Sequence, residues 1–377
     1  VITSLGVGGA EYMLKRLLSD EVTDKQQITI VSLMELGKIG VQLRDMGYQV
    51  YSLKMRSALS FVPVLFKLTR LLGNIKPDLV QTWMYHADLL GGLAAHRAGI
   101  RRIIWSIHCT RVPAGRPLTA VVMKICAWLS NRIPSRIVCV ANAAKNNHIK
   151  YGYLAERMVV IPNGFEVPLP VSAAKEPSDV PVKRQVLRGP SFDGKTLIGC
   201  VGRFHIDKGQ DILLHAAAKV VAQQPDTVFV LAGNEVDADN RLLASIIASH
   251  NLQRHVVLLG ERDDVALLLQ DFDCYCMPSR TEAFPVALGE AMLASLPCVA
   301  TRVGDTEVLG GDTLRYVPAD DASALADGLL ALLQEDLTVQ RQLGERCRAR
   351  VLKHFSIDTV RQLYRNLYQQ VIAKPGG

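Results

Sequence analysis

Short apolar runs alternate with longer amphipathic stretches along nearly the whole chain. Runs of four to eight residues rich in Val, Ile and Leu read as buried strands, and stretches with apolar residues three or four apart read as helices. In the first half the pattern predicts strands over 27–33, 48–53, 78–82, 102–108, 136–140 and 158–161, with helices at 10–18, 87–98 and 118–129. In the second half it predicts strands over 196–201, 227–232, 255–259, 274–277, 298–301 and 314–317. Helices there are expected at 209–221, 241–250, 263–270, 287–294, 322–334 and 339–354. Such β–α alternation with short connections implies parallel sheets covered by helices on both faces, an α/β chain.

The alternation breaks between Val167 and Lys195, where Pro168, Pro170, Pro177 and Pro181 are followed by Gly189-Pro190. Breakers at this density read as a linker. The expected organisation is a first domain over 1–165, a linker over 166–195 and a second domain over 196–356, with a C-terminal helix over 357–373 crossing back to the first domain. Two doubly wound halves place ligands at the carboxyl ends of their strands, in a cleft.

Composition narrows the classes. With 49% hydrophobic and 21% charged residues the chain has ample apolar surface to bury, which excludes disorder as its dominant state. No uncharged apolar run is long enough to span a bilayer, and no basic-then-apolar leader is visible. The opening Val1-Ile2-Thr3-Ser4-Leu5 reads as a first strand whose beginning is absent. Eight cysteines form no C-x-x-C pair, and Cys274 and Cys276, two apart on a predicted strand, read as small core residues. Reduced thiols without a leader point to the cytoplasm.

The net charge of +7 is uneven: residues 1–165 carry 21 Lys and Arg against 9 Asp and Glu, a formal +12, and the remainder is −5. A basic half attracts anionic lipid, nucleic acid or a phosphorylated substrate. Two stretches, 54–76 and 111–136, mix cations with apolar residues. They read either as helices packed on a sheet with cations snorkelling outward, or as interfacial segments that bury Phe61 or Trp128 among lipid head groups. Nucleic acid is disfavoured, since zinc-finger spacing, an RNA-binding aromatic signature and basic runs are all absent.

Three clusters carry candidate chemistry. Gly6-Val7-Gly8-Gly9-Ala10-Glu11 follows a strand and opens a helix, which suits either a tight turn or backbone contact with a phosphate. It is not G-x-G-x-x-G, and that disfavours a nicotinamide dehydrogenase. In Val201-Gly202-Arg203-Phe204-His205-Ile206-Asp207-Lys208-Gly209, two cations five residues apart precede a helix. A guanidinium and an ammonium suit a departing diphosphate, though surface cations in a loop give the same pattern. Ser279 to Met292 places Glu282 in a loop and Glu290 eight positions on, in a helix whose first N–H groups are expected at Ala283 to Val286. Both carboxylates suit hydroxyl recognition; they also read as a helix-dipole partner and an exposed helix charge.

In this order the clusters resemble the retaining GT-B glycosyltransferases of the large group-1 (family 4) class. The resemblance covers nearly the whole chain. It adds Pro77-Asp78-Leu79-Val80-Gln81-Thr82-Trp83-Met84-Tyr85-His86-Ala87-Asp88, Ser106-Ile107-His108, Ile161-Pro162-Asn163-Gly164 and the E-x7-E pair. It implies a GT-B fold: two Rossmann-like, doubly wound parallel-sheet domains facing across a cleft. It further implies that Arg203 and Lys208 bind the donor diphosphate and that Glu290 binds the nucleotide ribose. Glu282 would lie near the donor sugar, in a loop with Ala283, Phe284 and Pro285. Gly8 and Gly9 would reach the diphosphate and acceptor from the first domain, and His108 would lie near the reacting centre; a capping or core histidine is the plainer reading of His108.

The implied reaction is retaining transfer of a hexose or N-acetylhexosamine from a nucleotide diphosphate sugar, UDP-sugars before GDP-mannose. The acceptor would be a hydroxyl of a glycan or polyprenyl-diphosphate-linked molecule in polysaccharide biosynthesis. No cofactor or catalytic metal is implied. Asp237 and Asp239, and Asp271 and Asp273, then read as helix-start and strand-flank acids. The basic first domain would meet an anionic membrane surface at the inner face of the cell membrane. Ala283 and Ser295 replace two glycines usual in the family, which bears on sugar identity. A nucleotide-sugar epimerase and a non-catalytic sugar-nucleotide-binding protein are the rival readings.

Overall fold

The structure, a computed structural model, describes residues 1–6, 8–19, 25–57, 60–110, 115–166, 187 and 192–373. The expected linker over 166–195 therefore lies outside the described residues except for Glu166, Leu187 and 192–195. The chain divides into two units: Val1–Gly164 with Ile357–Gly377, and Phe165–Ser356.

The first unit runs α1 (Gly9–Leu18), β1 (Thr29–Ser32), α2 (Gly37–Asp45), β2 (Gln49–Ser52), α3 (Phe61–Ile75), β3 (Val80–Gln81), α4 (Tyr85–Arg97), β4 (Ile103–Ile107), α5 (Pro117–Leu129), β5 (Arg136–Cys139), α6 (Asn142–Lys150) and β6 (Met158–Val160). β1 pairs with β2, and β3-β4-β5-β6 form a second ladder, all parallel. Ile2 bridges both ladders, pairing in parallel with Ser32 and with Trp83. Its position is where the strand order turns, so the loop from Thr3 to Gly6 and the ends of β3 and β4 share one edge of the sheet. Every residue of β4 is buried, as expected of a parallel strand covered on both faces. α4 is buried along most of its length between α3 and α5, and its Gly91 and Gly92 admit Thr82 and the Trp105 ring at close range.

The second unit runs β7 (Thr196–Val201), α7 (Gln210–Gln223), β8 (Thr227–Ala232), α8 (Arg241–Ser249), β9 (Val256–Leu258), α9 (Val265–Asp271), β10 (Cys274–Met277), α10 (Val286–Leu293), β11 (Cys298–Thr301), α11 (Thr306–Gly310), β12 (Arg315–Val317), α12 (Ala322–Leu333) and α13 (Leu337–Phe355). Its six parallel strands are ordered β12-β11-β10-β7-β8-β9. The chain builds outward from β7 through β8 and β9, then returns to the other side of β7 with β10. The turning point lies between β7 and β10, which register Ile198 against Cys274 and Gly199 against Tyr275. Gly199 is required there: a methyl on it would stand 1.9 Å from the Phe272 ring.

After α13 the chain returns to the first unit as α14 (Ile357–Ala373). Its buried Ile357, Val360, Tyr364, Leu367 and Val371 recur at helical spacing and share a core with Ile2, Leu5, Met13 and Trp83. Arg361 fastens it further, donating to the carbonyls of Arg16 (2.6 Å) and Leu17 (3.3 Å) at the end of α1.

The strands expected from 27–33 onward all form, several trimmed by a residue or two at their ends, whereas the opening Val1–Leu5, expected as a first strand, makes only the isolated bridges at Ile2. α2, α6 and α11 were not among the expected helices. α6 reads NAAKNNHIK and buries only Ala144 and His148, too little for a periodic signal. All eight cysteines are free, and Cys274 and Cys276 are core residues of β10.

Candidate active site

The turning point of the second sheet brings two loops together. One leaves β7 as Gly202-Arg203-Phe204-His205 and makes a short helical turn over Ile206–Lys208 before α7. The other leaves β10 as Pro278-Ser279-Arg280-Thr281-Glu282-Ala283-Phe284-Pro285 before α10. Between them opens a cleft lined by Lys208, Ser279, Glu282, Pro285 and the first turn of α10 among others.

Lys208 and Glu282, 74 residues apart, meet here. Lys208 Nζ donates to Glu282 Oε1 at 2.7 Å, and Ser279 Oγ donates to the same oxygen at 2.8 Å. The Glu282 side chain is 11% exposed and that of Lys208 31%, so the carboxylate is held inside and the ammonium faces the opening. Gly289 N–H is the first of α10 to bond back, to Pro285 O at 3.1 Å. Helix geometry leaves the amides of Val286, Ala287 and Leu288 without acceptors in the helix. They stand in the cleft wall with the positive end of the helix dipole behind them. The expected donors at Ala283 to Val286 are thus displaced, because the helix begins later and Pro285 has no N–H.

The two loops are locked together by Arg280. Its guanidinium makes a two-bond fork to Asp211 (2.8 and 2.7 Å), donates to Ile206 O (2.7 Å) and also bonds Asp320, while its backbone N–H donates to Asp207 O (2.8 Å). The clamp therefore spans the Lys208 turn, α7 and the Glu282 loop. Burial raises the Asp211 carboxyl, but the Arg280 hydrogen bonds and charge outweigh it and hold Asp211 below the usual carboxylate range. Two left-handed glycines complete the seat. Gly209 (φ +67) passes so close to Pro278 that a methyl would stand 2.2 Å from its carbonyl oxygen, and Gly304 (φ +55) does the same against Glu282 at 2.1 Å. Asp305 N–H then holds Ala283 O at 3.0 Å.

The other second-unit candidates sit differently. The Arg203 side chain is exposed, while Gln210 holds the carbonyls of Gly202 and Arg203 at 3.1 and 3.0 Å. Phe284 does not line the cleft: it is buried against Phe165 (ring centroids 6.1 Å) and Phe355 (5.5 Å), so it anchors the loop from behind. Glu290 is half-buried in the second turn of α10, outside the cleft lining. Asp239 N–H donates to Asp237, Leu187 N–H to Asp271 and Leu197 N–H to Asp273, so these acids serve the backbone. Among the described residues no group of three His, Cys, Asp or Glu is placed to hold a metal ion.

In the first unit, Gly8 is extended and precedes α1, and exposed Gly9 begins it; Val7 lies outside the described residues. Buried Glu11 accepts from Ser4 Oγ at 2.7 Å, and its carboxylate lies so close to Gly8 that a methyl there would stand 2.5 Å from it. His108, just past β4, stacks on Trp83 with centroids 4.7 Å apart. Met84, beside Trp83, holds an unusual φ of +73, a strained position for a side-chain-bearing residue. His108 Nε2 is enclosed and has no hydrogen-bond partner among the described residues.

Burial pushes His108 down to about 3. Between about 3 and the usual 6.5 the unfolded chain binds the proton and the folded chain does not. The contribution of His108 to stability is therefore unchanged above pH about 6.5 and becomes progressively more unfavourable as pH falls below it. The imidazole resonances of His108 should show no titration from pH about 5 to 8 in NMR, and the rate profile no inflection from it. A mid-range titration step assigned by His108→Gln would contradict this.

Comparison with known proteins agrees with this geometry. The family described as "Glycosyltransferase Family 4" matches residues 7–167, and "Glycosyl transferases group 1" matches residues 195–335. The chain is 26% identical over 310 residues to the Escherichia coli UDP-Gal:alpha-D-GlcNAc-diphosphoundecaprenol alpha-1,3-galactosyltransferase, covering 80% of this chain and 78% of that protein. It is 34% identical over 202 residues to a Mycobacterium tuberculosis phosphatidyl-myo-inositol mannosyltransferase, covering 51% of this chain and 49% of that one. The crystal structure of Anabaena HepE in complex with UDP superposes with a TM-score of 0.83 at 22% identity over 98% of both chains, which shows a shared fold. With one family match on each half, and a cation and a carboxylate meeting where the second sheet turns, the chain belongs to the group-1, family 4 glycosyltransferases and is a hexosyltransferase of the GT-B fold.

Proposed function

We propose that the protein transfers a hexose or N-acetylhexosamine from a UDP-sugar, with retention, to a hydroxyl of a polyprenyl-diphosphate-linked glycan at the inner face of the cell membrane. The observation that carries this reading is the cleft at the turning point of the second sheet. There the Lys208 ammonium, the Glu282 carboxylate and the first amides of α10 converge. A diphosphate needs the first and third of these, and a sugar hydroxyl suits the second. The E. coli relative, which acts on a UDP-sugar and a diphosphoundecaprenol acceptor, supports the choice of donor and acceptor.

In this reading the acceptor hydroxyl oxygen bonds the anomeric carbon as the carbon–oxygen bond to the diphosphate breaks. The electron pair goes to the phosphate oxygen, and the hydroxyl proton passes to the departing phosphate on the same face. Lys208 and Arg203 offset the charge that develops. Glu282 orients the sugar, Glu290 holds the ribose, and Gly8, Gly9 and His108 serve the acceptor side, where a hydroxyl would satisfy His108 Nε2. No metal takes part.

The decisive experiment is a thermal-shift screen of UDP-glucose, UDP-galactose, UDP-N-acetylglucosamine and GDP-mannose, followed by NMR of the product linkage. A UDP-sugar should raise the melting temperature, turnover should survive chelator, and the new linkage should keep the donor's anomeric configuration. A preference for GDP-mannose, the reading favoured by the local identity to the mycobacterial mannosyltransferase, would replace the donor. An inverted linkage would overturn the mechanism.

A further inference from the structure

Among the described residues of the first unit, apolar side chains on α5 and α3 stand exposed. Leu118, Val121, Ile125 and Trp128 lie on a single stripe of α5, spaced three, four and three apart, and are 68%, 54%, 39% and 65% exposed. On α3, at the other flank of α4, Val62 and Phe66 are 57% and 58% exposed. Phe61, the aromatic that the sequence singled out in this stretch, is less exposed than either, because Val64 and Leu68 set the buried face of α3.

The charge around this face is predominantly positive, with exposed Glu156 beyond the end of α5 the nearest acid in sequence. From residue 89 to 155 there is no Asp or Glu against ten Lys and Arg, and from 46 to 77 none against five. Exposed Lys124 stands within the α5 stripe and exposed Lys67 beside Phe66. Two aromatics of the face carry cations: the Arg132 guanidinium lies 4.9 Å from the Trp128 ring and that of Arg97 5.3 Å from Phe66. An apolar stripe bordered mainly by cations, with an indole at its end, matches the boundary of an anionic bilayer. Acyl chains take the side chains, lipid phosphates take Lys and Arg, and Trp belongs at head-group depth. Among the described residues no helix is long and apolar enough to cross a membrane.

We infer that the exposed faces of α5 and α3 dock the protein on an anionic lipid bilayer, with Leu118, Val121, Ile125 and Trp128 entering the head-group boundary. This deepens the lipid-linked-acceptor reading and rests on it for its purpose, while the surface itself is argued from exposure and charge alone.

Tryptophan fluorescence reads it directly. The chain has three tryptophans, of which Trp83 and Trp105 are buried and Trp128 is exposed. Vesicles of phosphatidylcholine containing phosphatidylglycerol, without any acceptor, should shift the emission to the blue and co-sediment the full chain. Pure phosphatidylcholine vesicles should do so far less. Binding should weaken as salt rises from about 0.1 to 0.5 M. Leu118→Ser with Trp128→Ser should reduce binding by about tenfold or more, and Lys124→Glu by several-fold, with donor turnover unchanged. Equal binding by wild type and the double variant, indifference to phosphatidylglycerol and salt, or an unshifted Trp128 would overturn the inference. So would reversible self-association that the double variant abolishes in the absence of vesicle binding. Acceptor-free vesicles read the surface alone, and transfer is assayed separately with a polyprenyl-diphosphate-linked acceptor in detergent: vesicle binding with no transfer to that acceptor sinks the function and leaves the surface standing, and transfer without vesicle binding does the reverse.

Discussion

Lys208→Ala should lower kcat/KM for the sugar nucleotide by about 10²- to 10³-fold, the usual cost of removing one preorganised group that stabilises developing anionic charge. The side chain is partly exposed and ends at the cleft, so its loss leaves no cavity in the core. Ser279 still donates to Glu282, and the melting temperature should change little. Arg203→Ala should act in the same direction and more weakly, since its exposed side chain must swing onto the diphosphate before it contributes. The double variant should lose less than the product of the two single effects if both cations serve one diphosphate. Steady-state transfer assays with circular dichroism as the fold control decide the matter. Near wild-type transfer by both single variants would remove the diphosphate from this cleft.

The second large effect belongs to a residue that touches no substrate in this reading. Arg280→Ala should destabilise the protein by about 1.5–3 kcal/mol at neutral pH, because it leaves a partly buried carboxylate on Asp211 without its fork. It should also lower kcat by about tenfold with a smaller change in KM, since the Lys208 turn and the Glu282 loop lose the tie that fixes their spacing. The pH dependence has a defined sign. Asp211 is held below its unfolded value, so its share of stability is present above pH about 3.8 and is lost as pH falls through the folded value. The stability gap between wild type and Arg280→Ala should therefore narrow under acid in denaturant titrations. Arg280→Lys should restore the charge without the fork and recover part of the rate. A variant with wild-type kcat would show that Arg280 is an ordinary surface ion pair, and a gap that widens below pH about 4 would show that its stabilisation does not come from the Asp211 carboxylate.

Arg280 also shows where reading a sequence stops. In the loop Ser279-Arg280-Thr281-Glu282 it looks like a solvated charge, because its partners Asp211 and Asp320 lie 69 and 40 residues away. Ser279 was invisible for the same reason: a serine after a strand is common, and only the fold turns its hydroxyl onto Glu282. Phe284 supports the loop from behind rather than lining the cleft. Its neighbours in sequence are site residues, but its ring needs burial more than the cleft needs a ring, and Phe165 and Phe355 supply that burial. The start of α10 was legible to within one residue, but its free donors were expected too early, over Ala283 to Val286, where the chain is still a loop and Pro285 has no N–H.

By itself the sequence determined the alternation of strands and helices, the parallel α/β class, and the three loops on which chemistry-bearing residues sit. Apolar period and breaker residues are local properties, and a parallel strand buried on both faces writes an unbroken apolar run that no other element explains. Tertiary structure alone decided which of those residues meet. The order β12-β11-β10-β7-β8-β9 makes neighbours of β7 and β10, and only that crossover carries Lys208 to Glu282 across 74 residues of chain. It likewise decided that Trp128 stays outside while Trp83 and Trp105 go in. Strand order and side-chain exposure depend on how distant segments compete for the same buried surface, and no local pattern records the outcome of that competition.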